Sequence, residues 1–128
     1  MRHRKDTFKI GRTSSHREAM VSNMLKSLIE YERIETTLRK AKELKRYIDK
    51  VITLVIKGDL ASIRSLKSLL RIKFNPKKEN LDSKVFKKLN ILKERFEKRE
   101  KKCGYSRIIK KGFRKGDSAL TCFIELVE

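Results

Sequence analysis

Apolar residues recur along this 128-residue chain at two spacings, and the spacings divide it into helices and strands. Met20, Val21, Met24, Leu25, Leu28 and Ile29 return every three or four positions and predict a first helix. Ser15 and Glu18 precede that stripe at the spacing of a capping box, in which hydroxyl and carboxylate satisfy free amides at a helix start. Arg33 to Leu38 alternates instead, with Ile34, Thr36 and Leu38 on one side, and predicts a short strand. A second helix carries Ala41, Leu44, Ile48, Val51, Ile52 and Val55 as its stripe, and Gly58 suits its C-terminal stop. Asp59 can cap a third helix with Leu60, Ile63, Leu66 and Leu70 inward, and Tyr31 and Tyr47 are expected to flank the core. Asn75-Pro76 breaks the chain, because proline disfavours helix in the residue before it. A fourth helix runs from about Leu81 to Arg99, with Leu81, Val85, Leu89, Leu92 and Phe96 in line. Gly104 ends the helical half. Tyr105 to Lys111 and Ala119 to Val127 read as strands joined by a turn built on Gly112 and Gly116-Asp117. The fold class is therefore α+β, about four helices packed on a small three-stranded sheet.

The first thirteen residues fit neither spacing. Residues 1–17 hold six Lys/Arg against one acid, and only Phe8 and Ile10 are bulky and apolar. That is too little apolar surface to offset the entropy of ordering the chain. We therefore divide the sequence into an extended basic arm, 1–13, and a single globular domain, 14–128.

Charge sharpens the picture. The 35 basic and 16 acidic residues leave a net +19, far beyond what solubility requires. Segment 1–17 is +5, from six bases and one acid, and segment 101–117 is +6, from seven and one. Segments 18–32 and 118–128 are each −2. A field this uneven attracts polyanions and repels a second copy of itself, so no homo-oligomer is expected and an arm ordered by a nucleic-acid backbone is. A polybasic membrane surface is the competing explanation, but Trp is absent and no apolar run approaches eighteen residues. No apolar stretch follows the basic N-terminus as a secretion signal would require, so the cytoplasm is the expected compartment.

Within this frame, Gly112-Phe113-Arg114-Lys115-Gly116 is a turn whose glycines would let backbone amides approach an anion while Arg114 and Lys115 supply charge. Arg107 on the preceding strand is a weaker candidate. On helix two, Arg39, Lys42, Arg46, Lys50 and Lys57 fall opposite the apolar stripe, either as a phosphate-tracking ridge or as a solvated face laced by Arg39–Glu43 and Lys45–Asp49 pairs. Phe8 could stack on a base or plug a pocket. His3 and His16 are too few and too scattered for general-base chemistry. No Ser-His-Asp order, carboxylate pair or phosphate-binding Gly-Lys-Ser/Thr motif appears. Cys103 and Cys122 suit packed small residues better than a bridge or metal site. The residues suggest no enzyme and no cofactor.

The opening Met1-Arg2-His3-Arg4-Lys5, then Lys9-Ile10-Gly11-Arg12, Ser15-His16-Arg17 and Ala19-Met20, closely resembles that of the bacterial large-subunit ribosomal protein family L-seventeen. The resemblance continues through Glu35-Thr36-Thr37 and Ala41-Lys42-Glu43. It returns at Gly104-Tyr105-Ser106-Arg107-Ile108, Gly116-Asp117-Ser118-Ala119 and Ile124-Glu125-Leu126, covering roughly 1–60 and 104–127. Similarity to this family implies a structural constituent of the large ribosomal subunit that binds 23S ribosomal RNA near the tunnel exit. It implies neighbours of the L-twenty-two and L-thirty-two families. Matched residue by residue, the implied RNA contacts are Arg2, His3, Arg4, Lys5, Lys9, Gly11, Arg12, His16 and Arg17, with Arg107, Arg114 and Lys115 second. Segment 61–103 matches beyond its helical pattern poorly, and Phe113 stands where the family often has Pro. From composition alone, a nucleoid-type DNA-binding protein is the alternative, although neither a dimer interface nor a groove-reading helix is evident.

Overall fold

The computed structural model describes residues 8–73 and 81–127, so the Asn75-Pro76 break lies outside the described residues. Within them the chain runs α1 (Ser14–Tyr31), β1 (Arg33–Thr37), α2 (Leu38–Lys57), α3 (Leu60–Leu70), α4 (Leu81–Glu97), β2 (Ser106–Phe113) and β3 (Leu120–Leu126). The three strands form one antiparallel sheet in the order β1-β3-β2, confirming an α+β fold.

α2 is the hub. Its stripe of Ala41, Leu44, Ile48, Val51 and Ile52 is fully buried, and the helix touches every other element. Leu25, Leu28 and Ile29 of α1 and Leu66 and Leu70 of α3 complete the helical side, with Val85, Leu89, Leu92 and Phe96 of α4. Cys122, Ile124 and Leu126 of β3 enter from the sheet. Tyr105, also buried, meets the Phe96 ring edge-on with centroids 5.0 Å apart, and its backbone amide donates to Asp49 Oδ1 (3.2 Å). Gly58 stops α2 in the left-handed region at φ 68, where residues with a Cβ are strained.

Several local expectations change. Thr13, not Ser15, is the N-cap of α1, and no side chain caps that end; Glu18 reaches instead to Arg71 Nη2 (3.2 Å). Leu60 is 66% exposed because it is the first residue of α3, where Ser62 takes the inward position. Tyr47 packs against the core, but Tyr31 at the end of α1 is 67% exposed. Cys122 is buried, which pushes its thiol pKa up, while Cys103 is exposed. Gly112 does not make the hairpin turn: it lies inside β2, next to a bulge that leaves Lys111 as the extra residue. The turn itself is closed by Arg114 N donating to Ala119 O (2.9 Å). Phe8 packs against the core, so the basic arm is anchored at its C-terminal end.

Ion pairs between elements close the structure. Glu32, in the left-handed conformation just after α1, accepts from Arg95 Nη1 (2.7 Å) and Nη2 (3.1 Å) and pairs with Lys88 Nζ (2.7 Å), both on α4. Its carbonyl accepts Leu126 N (2.9 Å), so one residue ties α1, α4 and β3 together. The Arg95 hydrogen bonds outweigh the effect of burial and, with Lys88, hold the Glu32 carboxyl at about 2 against an ordinary 4.5. Asp82 is tied similarly to Lys26 Nζ (2.7 Å) and the Lys73 amide (3.0 Å). Burial raises its pKa, but these two contacts outweigh that and lower it.

A carboxyl depressed in the folded state contributes stability that is present above its unfolded pKa and is lost as pH falls through the folded value. Glu32→Gln should therefore lower stability near neutrality by about 1.5–3 kcal/mol, the range for hydrogen bonds to charged groups. The gap between variant and parent should stay constant above pH 5 and close between pH 4.5 and 2. Thermal midpoints of both proteins across that range test this; a gap independent of pH would refute the assignment.

Candidate nucleic-acid interface

The arm joins the domain through a tight turn. Arg12 N donates to Lys9 O (3.2 Å), and both central residues have positive φ, Ile10 at 48° and Gly11 at 59°. Gly11 is the natural occupant of such a position, whereas Ile10 is strained there. Past the turn, Arg17 Nη1 donates to Arg12 O (2.7 Å), and Arg12 Nη1 donates to His16 Nε2 (3.1 Å). Lys9, Gly11, Arg12, His16 and Arg17 are thus brought together at the start of α1. Arg2, His3, Arg4 and Lys5 lie outside the described residues.

α2 begins beside this cluster. A groove of about 550 Å³ is bordered by Arg12 from the arm, by α1 and β1, and by Lys40 from the first turn of α2. A second groove, of about 320 Å³, joins Arg39 and Lys42 to Ala119 and Leu120 at the base of the β2–β3 hairpin. Arg114 and Lys115 stand at the other end of that hairpin turn. The N-terminal cluster and the hairpin, about a hundred residues apart in sequence, are the two ends of one basic band whose middle is the start of α2.

The middle of the band was only half visible in the sequence. Neither α1 nor α2 has an acid in its first turn, and α2 carries Arg39 and Lys40 there with Lys42 just behind them. Cations at the positive end of a helix dipole are the reverse of the stabilising arrangement, and an anion in front of them would relieve it. Among the described residues Lys9, Lys40, Lys42 and Lys115 have no acidic partner. At the far end of the helix-two ridge Lys57 pairs with Asp59 (3.6 Å), while Lys50, also without an acidic partner among the described residues, borders a separate groove with Arg64 of α3. Glu43 pairs with Arg46 (3.4 Å), and Asp49 accepts the Tyr105 amide.

Arg107 and Arg114 are already engaged. Arg107 Nε lies against Glu125 on the outer face of the sheet, and Glu125 also pairs with Arg33 Nε (3.6 Å). Arg33 stacks over the Phe123 ring at 4.2 Å. The bulge residue Lys111 crosses the same ring to reach both oxygens of Glu35 at 2.9 Å. This face is a lattice of alternating charge rather than a basic patch. Arg114 grips Asp117 through two hydrogen bonds (2.9 and 2.5 Å), and that contact, with the Ala119 amide, holds the Asp117 carboxyl at about 2. Asp117 thereby shapes the turn and aims it. Phe113 beside it is 75% exposed, an aromatic ring in water between cations. Among the described residues no group of His, Cys, Asp and Glu could hold a metal ion. No described helix is long and apolar enough to cross a membrane.

If α2 begins against its own dipole, Lys40→Gln should leave the free domain as stable or raise stability by about 0.3–1 kcal/mol at low ionic strength, an effect fading with salt. Urea denaturation at two salt concentrations measures it. Destabilisation at low salt would show that Lys40 supports the fold.

Residues 20–127 match the family model described as Ribosomal protein L17. Curated proteins named "Large ribosomal subunit protein bL17" are similar over nearly their whole length. The one from Protochlamydia amoebophila (strain UWE25) is 48% identical, covering 98% of this chain and 97% of that protein. That of Chlamydia pneumoniae is 46% identical, and that of Chlamydia trachomatis serovar L2 is 45% identical, each covering 99% of both chains. These relatives also span the arm and turn that the family model leaves out. With the fold, the central helix and the hairpin inside one continuous match, this chain belongs to the ribosomal protein L17 family.

Proposed function

We propose that the protein is a structural constituent of the large ribosomal subunit that binds folded 23S ribosomal RNA in the cytoplasm. The arm, the starts of α1 and α2, and the β2–β3 hairpin form its RNA face. The observation that carries this reading is the gathering of bases from Lys9–Arg17, Arg39–Lys42 and Arg114–Lys115 around two neighbouring grooves at the starts of α1 and α2 and the hairpin. The family supports the subunit assignment, because relatives of nearly equal length carry that role in their names. RNA phosphates would neutralise the band and satisfy the exposed helix starts. Arg2, His3, Arg4 and Lys5, which precede the band in sequence, would add further contacts to phosphates, and Gly11 lets the chain turn from RNA onto the domain. Arg107 contributes less, since Glu125 already holds it. The function is scaffolding, with no step of bond-making assigned to any residue. Neighbouring subunit proteins, of the L-twenty-two and L-thirty-two families, would meet the surfaces that RNA leaves open.

Binding to large-subunit RNA should fall steeply with salt. With about eight phosphates neutralised, the log–log slope is on the order of −6 at about −0.7 to −0.9 per contact. Removing residues 2–7 deletes three bases and one acid yet leaves the Phe8 anchor in place. The truncated chain should bind more weakly with a shallower slope, and changing Arg114 and Lys115 to Ala should do the same to a smaller degree. Filter binding across a salt series reads both. A slope near zero for the intact chain would overturn the electrostatic account.

A further inference from the structure

The groove between α1 and β1 has a character that phosphate binding does not explain. Met20, Met24 and Ile34 pack against the core on one side and line the groove on the other, giving it a fixed apolar surface. Tyr31 also lines it, with most of its ring in water at the last turn of α1. A well-packed domain has no use of its own for that ring at the surface, whereas a stacking partner would cover it. Asn23 lines the same groove, and among the described residues its side-chain amide has no hydrogen-bond partner. A free carboxamide presents a donor and an acceptor side by side, which is the pattern needed to read the edge of a base.

Charge decides between occupants. Arg12 and Lys40 border the groove, while Glu35, the acid that lines it, is already held through both oxygens by Lys111. An apolar surface between two cations, with a neutralised acid, suits a planar base whose flanking phosphates are anionic. It would repel a basic protein segment, and an apolar one would leave both cations without a partner. At about 550 Å³ and open on one side, the space admits one nucleotide rather than a duplex.

We propose that this groove receives a single unstacked nucleobase of the RNA. Tyr31 and the methionine thioethers provide the stacking surface, Asn23 contacts the base edge, and Arg12 and Lys40 hold the phosphates on either side. The inference rests on the RNA-binding reading and adds to it a site that reads a base, where the remainder of the band reads only backbone.

The test uses the full chain and large-subunit RNA. Tyr31→Ala should weaken binding about tenfold, within the range for losing one stacked base. The salt slope should not change, since no charge is removed. Tyr31→Phe should bind like the parent, and Asn23→Ala should fall between the two. Tyr31 and Asn23 are both exposed, so thermal midpoints should hold and a folding defect would be visible as such. A photo-crosslinking benzoylphenylalanine at position 31, activated in assembled subunits, should give a nucleotide adduct. An adduct with a neighbouring protein, or with residues 1–7 of this chain, would overturn the proposal. Equal affinity of Tyr31→Ala and parent, with the parent's steep salt slope intact, would overturn the base site alone. Loss of salt-dependent binding by the parent would overturn the RNA reading as well.

Discussion

Burial of one stripe, Ala41, Leu44, Ile48, Val51 and Ile52 on α2, is the interaction on which everything else in this molecule depends. Because α2 touches every other element, locking its stripe fixes where the helix begins, and its beginning is where Arg39, Lys40 and Lys42 stand. The arm cluster reaches that point across one groove and the hairpin across another. The basic band is therefore built on a rigid axis rather than on independent loops, so its cations are positioned before any anion arrives.

Holding +19 in a domain of this size is itself a problem, and the placement of acids answers it. Glu32 ties α1 to α4 and β3, Asp82 ties α1 to α4, and Glu125 and Glu35 bind the outer sheet face. Each acid neutralises bases that lie between elements and so joins structure while reducing repulsion. Isolated surface pairs contribute little, but Glu32 and Asp82 are partly shielded and carry several hydrogen bonds each. Lys9, Lys40, Lys42 and Lys115 are left outside this scheme, and among the described residues so are Lys50 and Lys84. What distinguishes the band is its placement: its bases gather at the starts of α1 and α2 and at the hairpin, around two neighbouring grooves.

Much of this was legible in the sequence because local patterns decide it. The stripes of α1, α2 and α4 and the alternation in β1 and β3 follow directly from period, and Gly58 stops α2 where only a left-handed residue suits. What failed was what tertiary contact decides. Ser15 and Glu18 have the spacing of a capping box, but Glu18 finds Arg71, 53 positions away, and the N-cap is Thr13, two residues earlier. Gly112 reads as a turn glycine and serves a bulge, because register is a property of the pair of strands and not of one. Arg107 looked free until Glu125 was brought opposite it. For Phe8 the sequence left stacking on a base or plugging a pocket open, and packing against the core decides for the second. The site was visible at its two ends, the arm and the hairpin. Its middle was only half visible, as the Arg39 and Lys42 end of a candidate ridge, since nothing in the order of residues says that Lys40 and Ala119 border neighbouring grooves. Two bases and no acid in the first turn of a strongly amphipathic helix were the signal that could have completed it.

The account's central claim is that one band, and not the whole cationic surface, faces RNA. Lysine-reactivity footprinting, comparing the free protein with the same chain bound to large-subunit RNA, tests this most directly. The account predicts that Lys9, Lys40, Lys42 and Lys115 become unreactive together, while Lys84 and Lys87 on the exposed side of α4 and Lys57 beside Asp59 stay reactive unless a neighbouring protein is added. Protection spread evenly over all exposed lysines, or centred on α4 with Lys40 and Lys42 still reactive, would contradict it.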